Sequence, residues 1–171
     1  MHPAFQYQRY TLKRKILSLA NRYSITNPSG ETVLFCQQKM FRLKEDIRIY
    51  EDESKSRELL LIKAKQVIDF AAAYDVIDAV SGQHVGILRR KGLSSMVRDR
   101  WQVLDPAGQL KGTIEEDSMG LALLRRFLLG SLLPQRYTAV IEENEAAEFQ
   151  QKFHLLRYEM EIYLMQDNGS S

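Results

Sequence analysis

Cysteine, proline and long apolar runs are all scarce in this sequence. The single cysteine, Cys36, excludes an internal disulfide. The longest apolar stretch, residues 119–133, is shorter than the roughly 20 residues that cross a bilayer and contains two arginines. The first five residues, MHPAF, lack the apolar run of a signal peptide. We therefore expect a cytoplasmic protein without a transmembrane span.

An excess of either charge is also lacking. The chain has 24 basic and 22 acidic residues, a formal net charge of +2, so nothing in its overall charge favours nucleic acid. Its aromatic residues are not interleaved with the basic ones as stacking platforms require. With 44% hydrophobic and 27% charged residues, the composition is that of an ordinary globular protein. We expect one domain over residues 7–165 and a disordered tail over residues 166–171.

Sequence fingerprints of catalysis are missing as well. No GxGxxG, GxxxxGK[ST] or GxSxG motif occurs. The three histidines and Cys36 lie far apart, without the spacing of metal ligands. The acidic groups at residues 115–117 and 142–145 fall at predicted strand ends and turns, where charged side chains are usually solvated. We expect no cofactor, no metal site and no enzymatic activity.

What the sequence does contain is a recurring hairpin. In residues 101–114 an aromatic residue opens a short alternating run, a Pro/Gly turn reverses the chain, and a second run follows. Residues 23–35 and 74–87 repeat this plan, and residues 137–149 repeat it without the glycine. Four further alternating runs lie at residues 10–17, 46–50, 59–67 and 158–165.

Counting two strands in each hairpin, the pattern predicts twelve antiparallel strands. Closure into a barrel is favoured because it removes exposed edges. The apolar positions beside the turns are the predicted core: Ile25, Val33, Val76, Ile87, Val103, Ile114, Val140 and Ile162.

One hydrophobic helix is expected over residues 118–129. It follows an N-cap signal at Ser118 and stops before Gly130, and it is apolar nearly all round, as a buried helix is. Wall side chains alone do not fill a barrel wider than about eight strands, so we expect this helix to pack in or across the barrel. The alternative is an interfacial helix with Arg125 and Arg126 at the level of lipid headgroups.

Several of these segments resemble the LURP-one-related proteins. The run YTLKRKILSL at residues 10–19 is followed by RYSI at residues 22–25, by Gly30 and by the hairpins. The resemblance covers residues 7–165. It implies the tubby C-terminal-like fold, which phospholipid scramblases share: an antiparallel barrel of about twelve strands around a hydrophobic helix, mainly β in class.

In that fold the helix normally comes last, whereas only six residues follow Met165 here. Either the helix is lost, or the sequence stops short of it, or residues 118–129 replace it. The resemblance implies no catalytic residues, since tubby domains bind phosphoinositide headgroups and fold alone does not give function.

Two basic clusters form the candidate ligand site. Its residues are Lys13, Arg14 and Lys15 in the first cluster and Arg89, Arg90, Lys91, Arg98 and Arg100 in the second. A phosphate headgroup needs several converging basic donors, and the partly apolar segment at residues 92–97 suits an anionic membrane surface. The alternative is that strand alternation places Lys13 and Lys15 on a solvent face for solubility only.

Two hypotheses about function follow. The first is a non-enzymatic module, peripheral at the membrane, that binds anionic phospholipid or phosphoinositide headgroups, or a protein partner, through these clusters. The second is a carrier that holds a small apolar ligand such as a fatty acid inside the barrel.

Overall fold

A computed structural model describes the protein at residues 2–15, 20–39, 46–65, 72–91, 100–117, 135–152, 154 and 157–165. A short 3-10 helix, Pro3–Phe5, precedes twelve strands. The strands are β1 (Arg9–Lys15), β2 (Ala20–Thr26), β3 (Thr32–Lys39), β4 (Ile47–Tyr50), β5 (Glu58–Ala64), β6 (Ala73–Asp78), β7 (His84–Arg90), β8 (Arg100–Leu104), β9 (Leu110–Glu116), β10 (Arg136–Ile141), β11 (Asn144–Lys152) and β12 (Arg157–Leu164).

The strands form one closed antiparallel barrel. Each strand pairs with its neighbours in sequence, and β1 pairs with β12 from Arg9↔Tyr163 to Lys15↔Arg157. Strands about 4.8 Å apart and tilted by about 40° make a twelve-stranded barrel roughly 24 Å across. The predicted twelve-stranded barrel is therefore confirmed. The hydrophobic helix is not, because the described ranges contain no α-helix and residues 118–129 lie outside them.

The two faces of the wall differ in polarity. Residues directly opposite each other in neighbouring strands share a face, so the pairing around the ring assigns every side chain to one side. Away from the strand ends and the bulges, the exposed strand residues are all basic and all lie on one face: Lys13, Arg22, Arg48, Lys63 and Arg89. That face is the outer one, and the apolar face lines the interior.

Most of the predicted core residues line the inner wall. They are Ile25, Val76, Val103, Ile114 and Ile162. Val33 packs against a cluster of buried side chains beside a bulge. The prediction is wrong for Ile87 and Val140, since Ile87 pairs with Leu104 and Val140 pairs with Thr113 on the outer face.

The two ends of the barrel are built differently. At one end, here called the turn end, the tight connections at residues 27–31, 51–57, 79–83, 105–109 and 142–143 join the strands. The 3-10 helix covers part of this end, where Ala4 packs with the buried Leu34 and Leu59. The Tyr10 hydroxyl fixes the helix by donating to the Ala4 carbonyl oxygen at 3.0 Å. The opposite end, where β1, β3, β5, β7, β9 and β11 finish, is called the distal end below.

The close approach of β9 to β10 depends on Gly112. A Cβ at this position would collide with the carbonyl oxygen of Val140 and the side chain of Ile141. We predict that Gly112→Ala lowers the free energy of unfolding by about 2–3 kcal/mol, because the strands must separate. Gly108→Ala is the control, since its Cβ would meet open space and only its φ of +84° is strained, at about 1 kcal/mol. Equal losses in urea unfolding would contradict the prediction.

Closure of the barrel is reinforced by Glu161 on the outer face. Its carboxylate accepts from Arg9 of β1 at 2.9 Å, lies 3.0 Å from Nζ of Lys152 in β11, and accepts from the hydroxyl of Tyr163. Hydrogen bonds from Tyr163, Lys152 and Arg9 lower the pKa of Glu161 to about 2 from its ordinary 4.5. This one side chain therefore links the three strands at which the ring closes.

The lowered pKa gives a pH-dependent stability. Because the folded-state pKa is below the unfolded one, the stabilisation is complete above pH 4.5 and is lost as the pH falls towards 2. We predict that Glu161→Gln costs about 1–2 kcal/mol at pH 7 after allowance for solvent screening, and that the difference from wild type disappears in this acid range. The control is Glu58→Gln, which removes one pair with Arg48 and should cost less than about 1 kcal/mol. A pH-independent loss would contradict the prediction.

Candidate functional site

Both predicted basic clusters reach the distal end of the barrel. The first forms the last residues of β1, while Arg89 and Arg90 end β7 and Arg100 begins β8. In the ring β1 and β7 stand six strands apart, on opposite walls. The clusters therefore share a rim, but about 24 Å of barrel separates them. Arg98 lies outside the described residues.

Strand alternation divides each cluster between the two faces. Lys13 and Arg89 are exposed on the outer face. Arg14 pairs with Tyr23 and Tyr158 on the inner wall, and Arg90 pairs with Trp101 there. Neighbouring residues in each run thus project to opposite sides of the wall, and a single ligand does not meet a whole cluster.

Much of the basic charge at the distal rim is matched by carboxylates on neighbouring positions. The pairs are Arg100 with Glu115 at 2.8 Å, Lys65 with Asp75 at 2.8 Å, Arg136 with Glu148 at 3.1 Å and Arg157 with Glu159 at 3.2 Å. Lys13 and Arg89 differ, because no carboxylate in the described part of the chain forms an ion pair with either. Among the described side chains of the two clusters, these two are the most available to an external anion; Arg22 and Lys63, exposed on the same face, likewise form no ion pair with a described carboxylate.

The inner wall near β1 holds a charge in apolar surroundings. The Arg14 guanidinium carbon lies 5.4 Å from the centre of the Tyr158 ring, and Arg14 Nε is buried without a hydrogen-bond partner. Burial raises the pKa of Tyr158, and Arg14 partly opposes that rise. Tyr23 stands opposite Arg14 on β2.

This grouping was not predicted from the sequence. The signal that could have found it is the alternation of Tyr10, Leu12 and Arg14, which places the arginine on the apolar side of β1. Further around the inner wall, Tyr74 and Trp101 are in ring contact with centroids 6.0 Å apart.

The inner wall is apolar but incompletely buried. Leu12, Phe149, Met160 and Ile162 are all only half-buried, and within the described ranges no side chain is fully buried. No three His, Cys, Asp or Glu side chains of those ranges are grouped to hold a metal ion, and no helix there is long and apolar enough to cross a membrane.

Cys36 provides a probe of the inner wall. The residue is buried on β3, and burial raises the pKa of its thiol to about 11. At pH 8 roughly one thiol in a thousand is then ionised, and the thiolate is the reactive form. We predict that Cys36 reacts with a disulfide reagent at least about a hundredfold more slowly in native protein than in urea-unfolded protein. Similar rates would mean that solvent reaches this part of β3.

The family model described as LURP-one-related matches residues 32–167 of the chain. The match runs from the start of β3 through the end of β12, so the second basic cluster lies within it and the first lies before it. Comparison with curated proteins and with solved structures gives no match.

Proposed function

The chain belongs to the LURP-one-related family, and on that premise we propose that it is a non-enzymatic binding module whose distal rim contacts anionic phospholipid headgroups. The observation that supports this most is the arrival of two basic clusters, widely separated in sequence, at the same end of one barrel. In this proposal the protein is cytoplasmic and peripheral at the membrane.

The placement of the two exposed cluster cations favours an extended anionic surface over a single phosphate group. Lys13 and Arg89 are exposed on opposite walls, too far apart to hold one headgroup, whereas a membrane presents many headgroups across that distance. Each basic residue near an anionic membrane contributes about 1 kcal/mol, and the attraction falls within a Debye length. Because Lys65, Arg100, Arg136 and Arg157 of the rim are already paired, the binding should be moderate and sensitive to salt.

The proposal assigns no reaction to the barrel. Cys36, the one thiol of the chain, is buried and protonated, which makes it a poor nucleophile. The acidic side chains Glu115 and Glu148 are held in ion pairs with Arg100 and Arg136.

Replacement of Lys13 and Arg89 together tests the proposal. We predict that Lys13→Ala with Arg89→Ala weakens sedimentation with phosphatidylserine-containing vesicles on the order of tenfold at low salt, with little change in melting temperature. The matched control is Arg57→Ala with Lys111→Ala, which removes two exposed charges at the turn end. Equal losses for both double variants would contradict a rim-specific contact. Failure of the wild-type protein to sediment with such vesicles at low salt would overturn the proposal in favour of an acidic protein partner.

A second candidate function is supported by the inner wall. A barrel roughly 24 Å across is wider than its own side chains fill, and here inward apolar side chains such as Leu12, Met160 and Ile162 are only half-buried. A carrier of a single-chain apolar ligand would use this wall and not the rim. The two functions therefore depend on different residues and can be separated by mutation.

A further inference from the structure

The unpaired arginine of the inner wall indicates which ligand the second candidate function would take. We propose that Arg14, with the hydroxyl groups of Tyr23 and Tyr158, binds the anionic headgroup of a single-chain amphiphile whose tail lies along the apolar inner wall. This proposal rests on the carrier function and names its ligand class.

The register of β1 fixes the position of Arg14. On one side β1 pairs with β12 as Leu12↔Met160 and Arg14↔Tyr158, and on the other Arg14 pairs with Tyr23 of β2. Directly opposite residues share a face, so Arg14 stands between two tyrosines on the apolar side of the wall. A shift of the register by one residue would reverse this arrangement, but the seven pairs of the β1–β12 ladder hold it.

Among the described residues, Arg14 lacks the counter-ion that a charge in such surroundings requires. Arginine remains protonated in proteins, and no carboxylate of the described ranges forms an ion pair with it. Glu159, next to Tyr158 in sequence, lies on the outer face and pairs there with Arg157. The contact with the Tyr158 ring offsets only part of the cost of removing a guanidinium from water.

A bound anion would supply what is missing. Carboxylate and phosphate oxygens match the planar guanidinium and accept two parallel hydrogen bonds from it. The tyrosine hydroxyls can add further donors, since within the described part of the chain that of Tyr158 has only a 3.9 Å contact with the sulfur of Met160. These donors distinguish an anionic headgroup from a neutral one.

The inner wall beside Arg14 offers an apolar surface for the tail of the proposed ligand. Leu12, Ile25, Met160 and Ile162 continue from Arg14 towards the turn end on the same face, and each is half-buried. From Arg14 to Tyr10 the strand covers about 13 Å, and beyond Tyr10 the 3-10 helix limits the space. The ligand would therefore lie with its headgroup near the distal end and its tail towards the turn end.

Calorimetric titration of the full chain with three sub-micellar probes of equal tail length tests the site. Laurate carries a carboxylate, dodecyl phosphate carries a phosphate monoester, and dodecanol carries no charge. We expect the wild-type protein to bind at least one anionic probe ten times or more tighter than dodecanol. The tighter of the two anionic probes identifies whether a fatty acid or a phosphate monoester is the better headgroup.

Variants of Arg14 and Tyr158 assign the effect to these residues. Arg14→Met keeps the apolar length and should weaken the anionic probes tenfold or more while leaving dodecanol unchanged. Tyr158→Phe should cause a smaller loss. Arg22→Met, on the outer face of β2 and next to Tyr23 in sequence, should change none of the three affinities. Melting temperatures show whether each variant is folded, and Arg14→Met should not fall below wild type because it removes an uncompensated charge.

The possible failures separate this proposal from the carrier function. Binding of dodecanol and the anionic probes with equal affinity, unaffected by Arg14→Met, would overturn the anion site and retain the carrier. Absence of binding of all three probes would overturn both. Neither result bears on vesicle sedimentation, which tests the outer rim.

Discussion

Pairing of the first strand with the last is the constraint on which the rest of this structure depends. Without the β1–β12 ladder, both strands would present a row of unpaired backbone groups to other chains. With it, the sheet has no edge and every strand has two neighbours. Closure also fixes which residues face inward and which face outward around the whole ring. Side chains alternate between the two faces along each strand, and paired residues of neighbouring strands lie on the same face. The position of any one residue is thus decided by all twelve strands together.

Closure at twelve strands sets the chemistry that the barrel can support. A ring of this width brings its inner side chains together less completely than an eight-stranded one, which agrees with the half-buried state of Phe149 and Met160. An apolar wall that retains accessible surface gains from contact with any apolar group. On the outer face, by contrast, long basic side chains and their carboxylate partners keep the surface hydrated. Both candidate functions therefore depend on the closure of the barrel at twelve strands.

Much of the fold could be predicted because turns and alternation are local signals. Gly30, Gly82 and Gly108 all adopt positive φ in the turns where the sequence placed a glycine. The fourth hairpin, which lacks its glycine, uses Glu142 and Glu143 at positive φ instead. The assignment of residues to the inner or the outer face of the wall was predicted less well. Ile87 and Val140 directly follow Gly86 and Ala139, which lie on the inner face, so alternation places both of them on the outer face.

The candidate site was harder to predict, because a run of basic residues says nothing about which side of a wall each one occupies. Its members Lys13 and Arg14 are adjacent in sequence, yet one is exposed outside and the other stands between tyrosines inside. That separation makes the two proposed functions compatible, since an outer cation can rest on a membrane while the inner one holds an anion taken from it. One strand can place basic side chains on both the outer and the inner surface of the barrel because pairing with a neighbour on each side fixes which of its residues face inward. For β1 those neighbours are the second strand and the last, so the closure of the barrel also determines which of its basic residues face a ligand.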